Sequence, residues 1–429
     1  MRVRTVSAFV TLTSLEDVPA LFKSACETIQ AAKDAFESAG LEVQTVRILT
    51  NAFEEYLPEI TAACLIDAAQ RMQTAASAVP GVLLNVGPAT TPHAASLLPA
   101  LVAACPTVTA SASVPAVAAS DSSPGSALVP DMDMATAAAE VIVALSQGTA
   151  GGEGNFNFAA TANVKPGIPF FPAGFAPSAA PALAAASAGA SAAEGESAPT
   201  AVSWAVGLEM PDVVIGALST AAEEARSDLA GASPWRQASK RLVTALESAL
   251  LEVQAIATGL VAGAVGAEFS GIDASIAPAV DGPSLVEGFE ALLGPGGFGG
   301  PGTLAACRLL TGAIEAVRAR GAVSIVGYSG LMLPPLEDTG LAACMAAGAF
   351  TVGDLLSYSS VCGLGLDTVP VAGDTPVQAI ALRIADMVAL AYKLHKPLSC
   401  RLFPVPGVGV GGATSFANPH MCDSLVLSL

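Results

Sequence analysis

The chain has 429 residues, 52% of them hydrophobic and 13% charged, so it carries ample apolar surface to fold and is not an intrinsically disordered chain. Its 37 acidic and 18 basic residues leave a net charge of −19, which repels phosphate backbones and anionic lipid, so neither nucleic acid nor a membrane is an expected partner. Eight cysteines, at positions 26, 64, 105, 307, 344, 362, 400 and 422, form no CxxC and no repeated spacing, which suits reduced thiols and a cytoplasmic setting.

Val3 to Leu12 reads as a first strand; Thr and Ser interrupt it, and no small-residue cleavage site follows as in a secretory signal. Ser14 with Asp17 forms an N-cap pair, after which Val18, Leu21, Phe22, Ala25, Ile29 and Phe36 recur at helical spacing until Gly40. A second strand, Glu42 to Leu49, makes this a parallel βαβ unit. Helix 54–79 then precedes strand 81–86, helix 93–104 precedes strand 106–113, and helix 131–147 precedes strand 155–164. Met72 to Ser120 contains no Asp, Glu, Lys or Arg over 49 residues, but six prolines divide it too finely for a membrane-spanning helix.

Ala176 to Pro199 holds 21 Ala, Ser, Pro or Gly among 24 residues and reads as an exposed, mobile insertion. The alternation then resumes. Strand 203–208 leads to helices near 211–230 and 234–262, strand 265–272 to helices near 283–292 and 302–319, and strand 321–327 to helices near 336–349 and 351–360. The apolar run Val253 to Ala267, 15 residues long, is short of the ~20 a spanning helix needs. Strands 363–370 and 397–403 flank a last long helix, with Asp374 as its expected cap ahead of Thr375-Pro376 and Lys393, His395 and Lys396 at its end. Because α/β units continue on both sides of the insertion at 176–199, residues 1–429 are expected to form one domain. About ten strands alternating with helices leave an open doubly wound sheet or a closed barrel, and periodicity does not choose.

Candidate chemistry lies at strand ends. Glu268 and Asp273 flank one strand, Asp367 interrupts the apolar run Leu364-Gly365-Leu366, and Arg401 stands alone between strand residues Cys400 and Leu402. A lone buried Arg needs an acid or an anionic ligand, and strand C-termini are where α/β sites assemble. Tyr328-Ser329-Gly330 follows another strand and offers a ligand-facing loop, while Cys362, flanked by Gly363, offers a thiol. The GxGxxG at Gly294 to Gly299 follows a helix instead of a strand, contrary to a dinucleotide site. His420, Cys422 and Asp423 have no second ligand cluster at zinc spacing.

Three blocks carry a family resemblance: Gly266-Ala267-Glu268-Phe269-Ser270-Gly271-Ile272-Asp273-Ala274-Ser275-Ile276-Ala277-Pro278; Cys362-Gly363-Leu364-Gly365-Leu366-Asp367 continuing to Asp374-Thr375-Pro376; and Ser399-Cys400-Arg401-Leu402-Phe403-Pro404-Val405-Pro406-Gly407. Together they resemble the uncharacterised protein family 210, also called domain of unknown function 711. The resemblance implies a closed α/β barrel of about ten strands, of the pyruvate-formate-lyase-like kind seen in glycyl radical enzymes, and implies no reaction. The radical machinery is not expected: the nearest approach to its glycine loop, Ile325-Val326-Gly327-Tyr328, lacks the Arg and lies far from the C-terminus.

The expectation that follows is a protein that binds, or acts as an enzyme on, a small polar or anionic metabolite at the barrel mouth. Asp367, Cys362 and Glu268 are its candidate catalytic residues; Arg401, Asp273, Tyr328 and Ser329 are its candidate ligand-binding residues. No metal site and no particular cofactor is indicated. Two further readings stay open, a non-catalytic scaffolding subunit in a homo-oligomer or larger assembly, and a metal-dependent hydrolase using clustered acids with a hard cation.

Overall fold

The computed structural model describes residues 1–119, 128–180, 201–227, 233–261 and 266–429. Strand β1 (Arg2–Val10) is built from Val, Thr and Phe, which suit a pleated surface. Ser14 and Asp17 close a capping box ahead of helix α1 (Val18–Ser38), which buries Phe22, Ile29 and Phe36. Strand β2 (Val43–Thr50) returns parallel to β1. Helix α2 (Ala62–Ala76) starts later than the expected 54–79, because Phe53–Glu55 forms a separate turn and Thr61 supplies the cap. Strand β3 (Leu83–Ala89), helices α3 (Pro92–Ser96) and α4 (Leu98–Ala104), and strand β4 (Val108–Ser113) follow. A surface hairpin, β5 (Ala116–Ala118) with β6 (Leu128–Pro130), lies outside the expected strands and precedes α5 (Met132–Gly148) and β7 (Phe158–Ala162).

The second half contains β8 (Val202–Glu209), α6 (Pro211–Ser227), α7 (Pro234–Val261), β9 (Glu268–Asp273), α8 (Leu285–Leu293), α9 (Thr303–Arg320) and β10 (Ile325–Val326). Helices α10 (Thr339–Ala346) and α11 (Val352–Tyr358), strand β11 (Gly365–Ala372), helix α12 (Val377–Lys393) and strand β12 (Leu398–Val405) complete it. Asp374 does not cap α12. Pro376 takes the cap position with no side-chain bond, and the turn is closed instead by the Thr375 hydroxyl donating to Ala372 O at 2.6 Å. Among the described residues, one helical stretch, Pro234–Leu260, has the length and composition to cross a membrane. Its Leu242, Leu246, Leu250 and Val253 are buried at helical spacing, the stripe of a helix laid against a protein core.

All ten expected strands join one mixed sheet in the order β10, β9, β8, β1, β2, β3, β4, β7, β12, β11. Pairing is antiparallel only at β1 with β8 and at β12 with β7; elsewhere it is parallel. Strands from both sides of the Ala-rich segment therefore pair with one another. Residues 181–199 of that segment lie outside the described residues. Its first residues depart from an exposed loop, since Ala176 is buried and its N–H donates to Thr50 O at 3.0 Å.

The expected closed barrel is corrected: the ten strands form a sheet that does not close into a barrel. The ladder runs from β10 to β11 and stops; among the described residues no ladder joins these two edges, and β10 is only two residues long. The edges are nevertheless brought together, with Gly363 N donating to Leu331 O at 2.8 Å. Glycine is required there: a Cβ on Gly330 would stand 2.5 Å from the Gly363 Cα. The sheet is strongly curled. Apolar side chains of one face pack under the helices, while the inner face carries buried Ser7, Arg47, Asn85, Thr109 and Arg401. Residues 169–176 run across this inner face: Pro169 O accepts from Ser7 Oγ at 2.9 Å and Pro172 O from Asn85 Nδ2 at 2.8 Å.

Candidate functional site

Strand alternation places Arg47 of β2 and Arg401 of β12 on the inner face; Arg4 of β1 sits where the register shifts between Val3 and Thr5, and the curl brings the three to one locus. Arg4 is half-buried between two carboxylates: its Nη1 donates to Glu209 Oε1 at 2.7 Å and its Nη2 to Glu337 Oε2 at 2.6 Å. Glu209 ends β8 opposite Arg2 and also accepts from Arg2 Nε at 2.6 Å. Arg2 in turn forks onto Asp281 at 2.8 and 2.7 Å, the bidentate geometry that a guanidinium offers a carboxylate. Glu337 comes from the loop before α10.

Arg401 Nη1 donates to Asp367 Oδ1 at 2.8 Å and to Glu337 Oε1 at 3.2 Å, and Nη2 to Phe156 O at 3.0 Å. Its Nε is buried without a hydrogen-bond partner. Asp367 precedes an irregularity in β11, where Thr368 has φ 45°. Arg47 differs from the other two. Its Nε donates to the Thr45 hydroxyl at 3.1 Å and its Nη1 to Pro169 O at 3.5 Å, it lies over the Phe171 ring at 4.7 Å, and no carboxylate pairs with it among the described residues.

The electrostatics follow from that arrangement. Burial works against the Glu337 carboxylate, but Arg4 and Arg401 outweigh it and hold its pKa below the usual range. Burial wins at Asp367, pushing it up to about 6 against the pull of Arg401, with Glu337 adding repulsion. Burial and then Arg4 bring Arg47 down to about 9. His420, at the rim and stacked on Phe156 with centroids 6.2 Å apart, is lowered by burial and by Arg4.

Arg4, Arg47, Arg401, Phe156, Phe171 and His420 line a cavity of about 180 Å³, whose charged wall is three guanidiniums against the single carboxylate of Glu337. Arg401 lies over Phe156 at 4.9 Å, so two of the three guanidiniums rest on aromatic faces that fix their planes. A second recess of about 280 Å³ opens toward Arg2 and Asp281 and shares Arg4, Gln44, Glu337 and His420 with the first. On the inner side a small cavity of about 30 Å³ is lined by Asp367, Ser399, Arg401 and Tyr328, room for about one water. The larger cavity can hold an anion, and Asp367, which lines the small inner one, reaches it only through Arg401.

Of the residues expected from sequence, Arg401 and Asp367 meet directly, and Tyr328 is close by. Its buried hydroxyl lies beside Ser399 without reaching hydrogen-bond geometry. Asp273 is occupied elsewhere: its buried carboxylate accepts from Ser275 N and Oγ at 3.0 and 2.6 Å, Tyr328 N at 2.8 Å and Ser329 N at 3.0 Å. Burial raises its pKa, and the four donors act against that. Ser329 Oγ donates to Val326 O at 2.6 Å and accepts from Ala274 N at 3.1 Å, so both residues organise the turn that carries Tyr328. Cys362 is buried in a different place, behind that turn, and burial pushes its thiol up. Glu268 opens β9, is exposed, and sits at the other end of that strand from Asp273. Among the described residues no group of three or more His, Cys, Asp or Glu is placed to hold a metal ion.

Arg2, Arg4, Arg47, Glu209 and Glu337 are the residues that sequence reading missed, and His420 was weighed there only as a zinc ligand. The signal that picked out Arg401, a lone cation within a strand, was equally present at Arg47 in Val46-Arg47-Ile48 and at Arg4 in Val3-Arg4-Thr5. Glu337 gives no such signal, because it lies in a loop.

Comparison with known proteins adds a family and no reaction. A UPF0210 protein of Desulfovibrio desulfuricans is 35% identical over 214 residues, 50% of this chain and 46% of the relative. A UPF0210 protein of Pyrobaculum islandicum is 30% identical over 286 residues, 66% of this chain and 55% of the relative. One of Desulforudis audaxviator is 37% identical over 155 residues, 36% of this chain and 34% of the relative. The chain spans about half the length, or less, of these relatives. The model of the family described as Uncharacterised ACR (DUF711) matches residues 1–418, and the chain belongs to that family.

Proposed function

We propose that this chain binds a small anionic metabolite in the cavity between Arg4, Arg47, Arg401 and His420. The observation that carries the reading is Arg47, a buried guanidinium without a carboxylate partner among the described residues that faces a cavity of about 180 Å³. An ion so placed is costly unless a counter-ion reaches it, and a carboxylate or phosphate group matches its planar fork. Asp367, near pKa 6 and in contact with Arg401, lines the small inner cavity and tunes the charge that Arg401 offers the anion. An enzyme acting on that anion is the sharper form of the proposal. Tyr328 closes the inner end, Asp273 and Ser329 shape its turn, and Cys362 and Glu268 stand apart.

The curl of the sheet and the meeting of its edges at Gly330 and Gly363 support a barrel-like wall around this locus, as the resemblance to pyruvate-formate-lyase-like barrels implies. Radical chemistry forms no part of the proposal. Eight free cysteines suit a reducing, cytoplasmic compartment. A homo-oligomer or a place in a larger assembly is supported by Val117, Leu128, Val129 and Met132, large apolar side chains exposed at the β5–β6 hairpin.

Calorimetric titration of the full chain with malonate and acetate tests the binding proposal. Saturable binding to the wild type that is lost in Arg47→Met is the expected result. Equal binding in the variant, or none in the wild type, overturns it.

A further inference from the structure

A second basic recess lies behind the turn Gly327–Ser329. Tyr328 lines both this recess and the small inner cavity, so the turn separates the two. The recess measures about 390 Å³, within the usual size of a small-molecule pocket. One wall is a face of α9, where Arg308, Thr311, Glu315 and Arg318 recur at spacings of three and four residues. The opposite wall is formed by the chain turns after α11 and α12, which supply Cys362 and Lys396.

Its charge balance is unusual for this chain. Arg308, Arg318 and Lys396 face one carboxylate, Glu315, in a protein with 18 basic and 37 acidic residues in all. Arg308 pairs with Glu315 at 2.8 Å, whereas Arg318 and Lys396 have no carboxylate partner among the described residues. Lys396 is half-buried. Its Nζ donates to Ser359 O at 2.8 Å and to Cys362 O, which closes the end of α11. An ammonium has three donors, so one remains for the recess that Lys396 lines. Burial lowers the Lys396 pKa, the direction that an approaching anion reverses.

We infer that this recess is a binding site for a small phosphorylated molecule, whose negative charge is met by Arg308, Arg318 and Lys396 along its walls. Two net positive charges match a dianion better than a monoanion. A concave site of this volume takes a small phosphorylated molecule, and the net charge of −19 repels a nucleic-acid backbone. This site is independent of the cavity at Arg47, so each assignment can fail alone.

The test is a calorimetric titration of the full chain with pyrophosphate, with chloride as a monoanion control. Arg308 and Arg318 are exposed, so the double variant Arg308→Gln/Arg318→Gln keeps the fold. Lys396→Gln keeps a donor for the two carbonyls and drops the charge. Each is expected to weaken pyrophosphate binding by about tenfold or more, as loss of a charge-assisted hydrogen bond does. A distant control, Lys23→Gln/Lys33→Gln, is expected to leave this binding unchanged. The inference is overturned if the wild type does not bind pyrophosphate, if the Arg308/Arg318 variant binds as tightly as the wild type, or if Arg47→Met abolishes all of it.

Discussion

Arg4 and Arg401 hold opposite oxygens of one carboxylate, that of Glu337, at 2.6 and 3.2 Å. Their strands, β1 and β12, stand five places apart in the sheet order, which is ~24 Å across a flat sheet at about 4.8 Å per strand. No arginine spans that distance, so the shared carboxylate measures how far the sheet has curled. Removing one partner of a buried ion pair strands the others. Glu337→Gln is therefore expected to cost about 3–5 kcal/mol, read as a lower denaturant midpoint with an unchanged slope. A cost below about 1 kcal/mol, the range of a surface pair, would show that Glu337 is not the link between the two arginines.

Arg47 is expected to behave in the opposite sense. Its charge is buried without an acidic partner, so Arg47→Met, similar in apolar reach, should leave the melting temperature unchanged or raise it, with a gain of up to about 1–4 kcal/mol. Lost anion binding together with kept or increased stability is the pattern of a residue retained for function. A fall in stability instead would identify the bonds to Thr45 and Pro169 as the reason for the arginine.

The pH dependence has a defined sign. Asp367 is raised from 3.8 to about 6 in the folded protein, so between those values the folded state binds more protons than the unfolded one. Stability contributed at this residue is thus highest below pH 4 and falls as pH rises to about 6, by about 3 kcal/mol at most. Glu337, held low, works the other way: its contribution is present above its unfolded value of 4.5 and falls as pH drops. Asp367→Asn should remove the first slope, so that the variant gains on the wild type as pH rises from about 4 to about 6. Urea unfolding across that range checks it, and parallel curves for the two proteins refute it.

Gly330 and Gly363 are where the two edges of the sheet touch. A Cβ on Gly330 has no room against the Gly363 backbone, and flexible side chains are not what it meets. Gly330→Ala is expected to destabilise by about 1–3 kcal/mol, the cost of overpacking, and to speed hydrogen exchange at Gly363 N, whose acceptor is Leu331 O. Unchanged exchange at that amide would mean the edges are held together elsewhere.

Much of the fold was legible in the sequence because its signals are local. Apolar residues at helical spacing marked α1, and β-branched runs bounded by Gly and Pro marked all ten strands of the sheet, since side-chain direction repeats within a few residues. Boundaries failed where a local competitor intervened: the turn Phe53–Glu55 and the Thr61 cap in place of a helix starting at 54, and Pro376 with Thr375 in place of Asp374. Arg401 was recognisable as a cation in need of a partner, and Asp367 as an acid in an apolar run, from composition within their own strands.

Their meeting was not legible. Which acid faces Arg401, why Arg4 has two carboxylates and Arg47 none, and why Asp273 is consumed by a turn while Asp367 borders a cavity depend on sheet order and curl. The sequence alone determined the alternating α/β elements, the acidic charge and the family resemblance, all of which are properties of short segments or of the whole composition. The tertiary structure alone decided the site, because an ion pair forms between groups a few ångströms apart in space, and Arg4, Glu337 and Arg401 come from distant parts of the chain that only the curled sheet brings together.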